Sequence, residues 1–193
     1  MSLGRGTAGA GHRADDVRFA QLYERHYRPI RDFFARRVPR DTVDDAVADT
    51  FLTVWRCLDE VPGGEAALVW MYGVAHRVIG HQRRSLARRG RLHERLRMVE
   101  FRPAAAADDA VVDDAETRRI LAALARLGHT DADVLRLVTW EELSVASAAA
   151  VLGIEPDAAR QRLHRARRNL AREYDRLQSH STSLPAAPTG GAR

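Results

Sequence analysis

Arg160-Gln161-Arg162-Leu163-His164-Arg165-Ala166-Arg167-Arg168 sets a dense array of guanidinium groups on a segment that keeps an apolar spine. Ala159, Leu163, Ala166, Leu170, Tyr174 and Leu177 recur at steps of four, three, four, four and three, the spacing of one face of an α-helix. That face can bury against a core while arginines fill the rest of the circumference. Between Pro156 and Arg176 seven arginines stand against three acids. An arginine run alone often means a solvated surface, but an imbalance this large directly after a turn signature points to a helix that binds a polyanion.

The residues before it complete a helix-turn-helix pattern. Leu143-Ser144 opens an alanine-rich apolar run that ends at Leu152, and Gly153 follows. Ser144 has the chemistry of an N-cap, because its hydroxyl can accept from an otherwise unpaired backbone N–H. Gly153 supplies the left-handed residue a tight turn requires, and Pro156 fits the first turn of the next helix. In such a unit the first helix crosses the phosphate backbone and the second offers its early residues to base edges in the major groove. Arg160, Gln161, His164 and Arg165 occupy those early positions, and Arg167, Arg168 and Arg172 suit phosphates.

Composition limits the partners. All 31 basic residues are arginine, and a net charge of +5 favours a polyanion. The single Cys57 excludes an internal disulfide framework and a cysteine-built zinc site. No apolar run reaches the length of a membrane span and no signal-peptide hydrophobic region opens the chain, so a cytoplasmic protein with no membrane partner is expected.

Periodicity is helical throughout, which predicts an all-α chain of two small helical domains joined by a flexible acidic linker, the second domain carrying the helix-turn-helix. The expected boundaries are a disordered tail over 1–16, a first domain over 17–98, the linker over 99–115, a second domain over 116–177 and a disordered tail over 178–193. Phe19, Leu22, Tyr23, Tyr27, Ile30, Phe33, Phe34 and Val38 mark a first amphipathic unit, in which Pro29 should kink or split the helix. A second unit, from about Asp44 to Leu58, should bury Val47, Phe51, Val54, Trp55 and Leu58. Its opposite side is unusual: Asp45, Asp49, Leu52 and Arg56 line up at four, three and four, mixing acids, an exposed leucine and an arginine in a stripe suited to a protein interface. A third unit turns Leu68, Met71, Val74, Ala75, Val78 and Ile79 inward and becomes basic outside. Arg83 to Arg97 holds seven arginines and one acid, whereas Glu100 to Glu116 holds six acids and one arginine, and this reversal of sign defines the linker. In the second domain Ile120, Leu121, Leu124, Leu127, Val134, Leu135 and Val138 are in helical register, and Trp140 should cap their core.

With these motifs in order the chain resembles the extracytoplasmic-function sigma factors of the sigma-70 family, over roughly residues 19 to 177. Phe19-x-x-Leu22-Tyr23-x-x-x-Tyr27 is similar to the family's opening helix. Asp45-x-x-x-Asp49-Thr50-Phe51-Leu52-x-Val54-Trp55-Arg56 resembles the segment that grips core RNA polymerase. Trp70-Met71-Tyr72-x-Val74-Ala75-His76-Arg77 and Arg84 resemble the segment that recognises and opens the minus-10 element. Leu143-Ser144-Val145, Val151-Leu152-Gly153-Ile154 and Arg162-Leu163-His164-Arg165-Ala166-Arg167 resemble the reader of the minus-35 element.

The resemblance implies no catalysis and no cofactor or metal. It implies core-polymerase contacts by Asp45, Asp49, Leu52 and Arg56, and minus-10 contacts by Trp70, His76, Arg77, His81, Arg84 and Arg88. Minus-35 contacts fall to Arg160, Gln161, His164, Arg165, Arg167 and Arg168. It further implies that the loop from Val61 to Leu68 forms the pocket for a base extruded from the minus-10 element. The implied partners are core RNA polymerase and double-stranded promoter DNA with a melted minus-10 strand, with an anti-sigma factor as a further candidate. The chain departs from the family pattern where Ala146 and Ser147 replace the acids usual after the cap, where Arg77 and His81 replace asparagine and aspartate, and where Gly128 replaces proline.

Two other readings use the same residues. A helix-turn-helix regulator that never joins the polymerase explains the arginine helix but leaves the Asp45 stripe and the second basic face without a role. A metal-dependent enzyme built on Asp44, Asp45 and Asp49 lacks a partner cluster of acids or histidines with suitable spacing elsewhere in the sequence.

Overall fold

The computed structural model describes residues 7–93 and 115–182, and its described elements are helices: α1 (Thr7–Ala35), α2 (Val43–Arg56), α3 (Ala66–His93), α4 (Ala115–Ala125), α5 (His129–Thr139), α6 (Val145–Leu152) and α7 (Pro156–Thr182), with short 3-10 turns at Arg40–Thr42 and Leu58–Glu60. Among the described residues no helix is long and apolar enough to cross a membrane. The expected linker lies outside the described residues except for Ala115, where α4 begins.

Helices α1, α2 and α3 pack around Ile30, Phe33, Phe34, Val47, Phe51, Val54, Met71 and Ala75, all buried as their spacing predicts. Pro29 sits inside α1, which continues to Ala35 rather than splitting. Proline costs that helix one N–H donor, and Ile30, Phe33 and Phe34, fully buried directly after it, hold the turn in place. Helix α1 also starts at Thr7, inside the segment expected to be a tail, and α7 continues to Thr182 past the expected 177. Once a packed segment has nucleated a helix, each added residue gains a hydrogen bond at little further cost, so helices outrun the apolar pattern that starts them.

In the second half α4, α5, α6 and α7 enclose Leu124, Leu127, Val134, Leu135, Ala149, Ala159, Leu163 and Ala166. Trp140 lies against this core, and the guanidinium carbons of Arg36 and Arg136 stand 5.9 and 5.7 Å from its ring centroid. Ile120, expected inward, is exposed. Gly128 precedes α5 with φ −57 and ψ 141, a conformation within proline's range, so no special freedom of glycine is used there.

The halves are not separate globules. Leu137, Ala148 and Val151 of the second half are buried in the same cluster as Phe33, Met71 and Tyr72 of the first. A Cβ built on Gly73 would lie 4.0 Å from the Cα and O of Val151, so α3 and α6 approach closely where α3 has no side chain. The turn after α5 puts Glu142 at φ 53, a left-handed value that L residues rarely adopt, and returns the Leu143 N–H to the Leu137 carbonyl at 3.1 Å.

Candidate nucleic-acid interface

Helix α6 begins as its sequence predicts: the Ser144 hydroxyl accepts from the Ser147 N–H at 3.0 Å. The Ser147 hydroxyl lies 2.9 Å from the Ser144 hydroxyl, so a serine takes the place of the acid that would complete a capping box. Gly153 is left-handed at φ 63 and ψ 40, and its N–H closes α6 onto the Ala149 and Ala150 carbonyls. Pro156 then starts α7. Ala159, Leu163 and Ala166 bury the inner face of α7, which leaves Arg160, Gln161, His164, Arg167 and Arg168 exposed on its outer side. Arg160 pairs with Asp157 one turn earlier, and Arg126 reaches Glu173 at 3.4 Å, tying α4 to α7.

Arg165 has a different environment from its neighbours. Its Nε and Nη2 donate to the two carboxylate oxygens of Asp131 at 2.7 and 2.6 Å, a two-pronged pair that bolts α7 to the first turn of α5. Asp131 is buried, and its carboxyl is held below the usual carboxylate range chiefly by the hydrogen bond from Arg165, against the opposing effect of burial. Arg165, expected among the base-reading residues, thus has its guanidinium paired within the protein while its side chain remains 51% exposed. Asp131 went unnoticed because thirty-four residues separate it from Arg165 and no local pattern links them.

On α3, Arg77, His81 and Arg84 are exposed, and Trp70 and His76 are half-buried. The side chain of Arg88 lies outside the described residues. Trp70, Gly73, His76 and Arg77 form one wall of an open groove of about 920 Å³, and Ala146, Ser147, Ala150 and Val151 form the other. Of the minus-10 candidates, Trp70, His76 and Arg77 are thus brought beside α6, and His81 and Arg84 do not line this groove. Burial lowers the His76 imidazole from its usual value; Asp133 works against that shift, while Arg83 and Arg37 add to it. Among the residues of the Val61–Leu68 loop, Glu65 and Ala66 line the same groove.

The α2 stripe is where its spacing places it: Asp45, Asp49, Leu52 and Arg56 are all exposed, Leu52 by 51%. Trp55, expected inside, is 37% exposed and stands edge-on to Phe19 at 5.1 Å. Tyr23 is also exposed and packs on Phe51 at 4.7 Å and Tyr27 at 5.2 Å. An aromatic ledge thus adjoins the stripe. Its signal was the three-residue step from Leu52 to Trp55, which sets both on neighbouring surface. Among the described residues no group of three His, Cys, Asp or Glu side chains is arranged to hold a metal, Asp44, Asp45 and Asp49 included.

Comparison with known proteins agrees with this division. The Sigma-70 region 2 pattern matches residues 22–89 and the Sigma-70 region 4 pattern matches residues 117–170. The RNA polymerase sigma factor NccH of Alcaligenes xylosoxydans xylosoxydans is 28% identical over 164 residues, covering 81% of this chain and 86% of the relative. The RNA polymerase sigma factor CnrH of Cupriavidus metallidurans is 29% identical over 172 residues with the same coverage. Among solved structures, CnrH in complex with the cytosolic domain of CnrY superposes with a TM-score of 0.56 at 26% identity, over 82% of this chain and 88% of that one. The sigma factor RpoE of Bartonella quintana, in complex with the anti-sigma factor NepR, shares the fold with a TM-score of 0.64 at 19% identity, over 81% of this chain and 96% of that one. With region 2 in its first half, region 4 in its second and sigma factors as its relatives, the chain belongs to the sigma-70 family as an RNA polymerase sigma factor of the extracytoplasmic-function type.

Proposed function

We propose that Asp45, Asp49, Leu52 and Arg56, extended by Tyr23 and Trp55, dock on core RNA polymerase, and that α7 and α3 then direct the enzyme to promoters. Arg160, Gln161 and His164 read base edges of the minus-35 element, each good bidentate contact contributing about 1–3 kcal/mol of discrimination. Arg167 and Arg168 bind phosphates and supply affinity that falls with salt. Arg165 holds α7 at its angle to α5 rather than reading bases. On α3, Arg77, His81, Arg84 and Arg88 hold the minus-10 backbone, and Trp70 and His76 flank the groove that receives an extruded base, whose unstacking costs a few kcal/mol. The chain itself makes and breaks no bonds, and it works in the cytoplasm with core polymerase. Because CnrH and RpoE assemble with CnrY and NepR, an anti-sigma factor is proposed as a partner here too.

The observation that carries this reading is the exposed cationic face of α7 directly beyond the Ser144 cap and the Gly153 turn, in one chain with the exposed α2 stripe. Promoter-specific run-off transcription tests it: purified chain added to core enzyme should give discrete transcripts from genomic fragments. A helix-turn-helix regulator that does not join the polymerase would bind the fragments yet leave core enzyme silent.

A further inference from the structure

An arginine on α1 holds the loop that leads into α3. Arg18 donates from Nη2 to the Val61 carbonyl at 2.6 Å, although the two residues stand 43 positions apart. Val61 is the buried residue at which the chain leaves the Leu58–Glu60 turn. Its N–H closes that turn onto the Leu58 carbonyl at 3.2 Å, and its side chain joins the core of the first half. Pro62, Gly63 and Gly64 follow: a Cβ on either glycine would meet nothing within 4 Å, and Gly64 is left-handed at φ 63. The Ala67 N–H returns to the Gly64 carbonyl at 3.3 Å, a local bond that travels with the loop. Glu65 and Ala66 then reach the groove that Trp70 and His76 also line.

The buried side chain fixes where Val61 lies, and the bond to Arg18 fixes which way its carbonyl turns. Val61 has ψ 118, in the extended range to which a residue before proline is confined. Pro62 holds its own φ near about −65°. With the carbonyl held, the peptide between Val61 and Pro62 has one orientation, and it sets the course of the glycines toward the groove. Arg18 stands on a firm base, because the adjacent Phe19 packs edge-on against Trp55 at 5.1 Å and Phe51 at 6.3 Å, seating this turn of α1 on α2. A charged donor strengthens such a bond, and a single bond needs a donor of the right reach rather than a planar fork.

We propose that Arg18 is a positioning residue for base selection: by holding the Val61 carbonyl it sets the loop against the Trp70 and His76 edge, and so sharpens which extruded minus-10 base the groove accepts. This rests on the promoter reading above. The positioning is measured in the chain alone, and the selection with DNA.

Arg18→Met keeps an aliphatic stem and removes the donor, whereas Arg18→Lys keeps a donor. In the full chain, amide hydrogen exchange at Val61 and Ala67 should quicken fivefold or more in Arg18→Met and return to within twofold of the parent in Arg18→Lys, with the Phe51 and Val54 amides of α2 unchanged. Unchanged exchange at Val61 and Ala67 in Arg18→Met, or equal quickening at Phe51 and Val54, would overturn the positioning role. Each chain is then combined with core polymerase, and abortive transcription is compared on promoter forks carrying each of the four bases at every minus-10 position. Preference for the favoured base at the extruded position should fall fivefold or more in Arg18→Met and recover in Arg18→Lys, while binding to the minus-35 duplex stays within twofold. A uniform loss on all four bases, with the preference kept, would overturn the proposal and make Arg18 a plain backbone contact. A parent with no base preference at any minus-10 position would count against the promoter reading, and the exchange result would then decide the positioning role by itself.

Discussion

Arg165 and its neighbours show how much one contact alters a residue's role. Arg160, Gln161, His164 and Arg165 all fall on early turns of α7, yet only Arg165 has its guanidinium clasped by a buried carboxylate. Replacing Arg165 with alanine should weaken binding to matched and mutated minus-35 duplexes by a similar factor, because the helix loses its anchor and not a base contact. The charge swap Asp131→Arg with Arg165→Asp should restore part of the affinity. Arg160→Ala should instead flatten the difference between matched and mutated duplexes by about tenfold or more, the size of one bidentate contact. Titration by fluorescence anisotropy against both duplexes separates the two, and a loss of discrimination in Arg165→Ala would return that residue to base reading. Nothing in the sequence near Arg165 announces Asp131, since each looks like an ordinary solvated charge until α5 and α7 pack.

Local rules held best in the elements whose interactions are short-range. Ser144, Gly153 and Pro156 act as cap, turn and helix start, because each effect spans only a few residues. Ser144→Ala should therefore cost about 1 kcal/mol, read from the midpoint of chemical denaturation, and it also takes the partner of the Ser147 hydroxyl away. The outer stripe of α2 followed from the helical period in the same way, whereas Trp55 was misassigned to the interior. A residue at the border of an apolar face goes in or out according to what packs there, and Phe19 meets Trp55 in a T-shaped pair that leaves the indole 37% exposed. Leu52→Asp should abolish co-purification with core polymerase while leaving circular dichroism and thermal unfolding unchanged, since Leu52 contributes exposed surface rather than core. A variant that still co-purifies would remove α2 from the interface.

At the level of the whole molecule, stability should depend on pH through two histidines. His26 and His76 are both lowered from 6.5, each chiefly by burial, the first also by Arg25 and the second against the pull of Asp133. The folded chain therefore takes up protons less readily than the unfolded chain, so stability is intact above pH 6.5 and falls as pH drops through that value toward the lowered folded values. Denaturation midpoints measured between pH 7.5 and 5.5 should decline, and His76→Gln should flatten the decline; a flat parent profile would contradict this assignment. His76 feels Asp133 across the seam between the halves and Arg83 and Arg37 of its own half, so the same protonation adds charge to an interface already rich in arginine. The sequence by itself determined the helical class, the division into two helical halves, the helix-turn-helix and the outward stripe, because helical period, caps and charge act over a few residues. Only the tertiary structure decided that Glu141 is buried between Arg36 and Arg37, that Val151 rests on Gly73 and that Asp131 holds Arg165. Those pairings join residues 34 to 105 positions apart, and burial and ion pairing at such separations depend on how helices pack and leave no periodic trace in the chain.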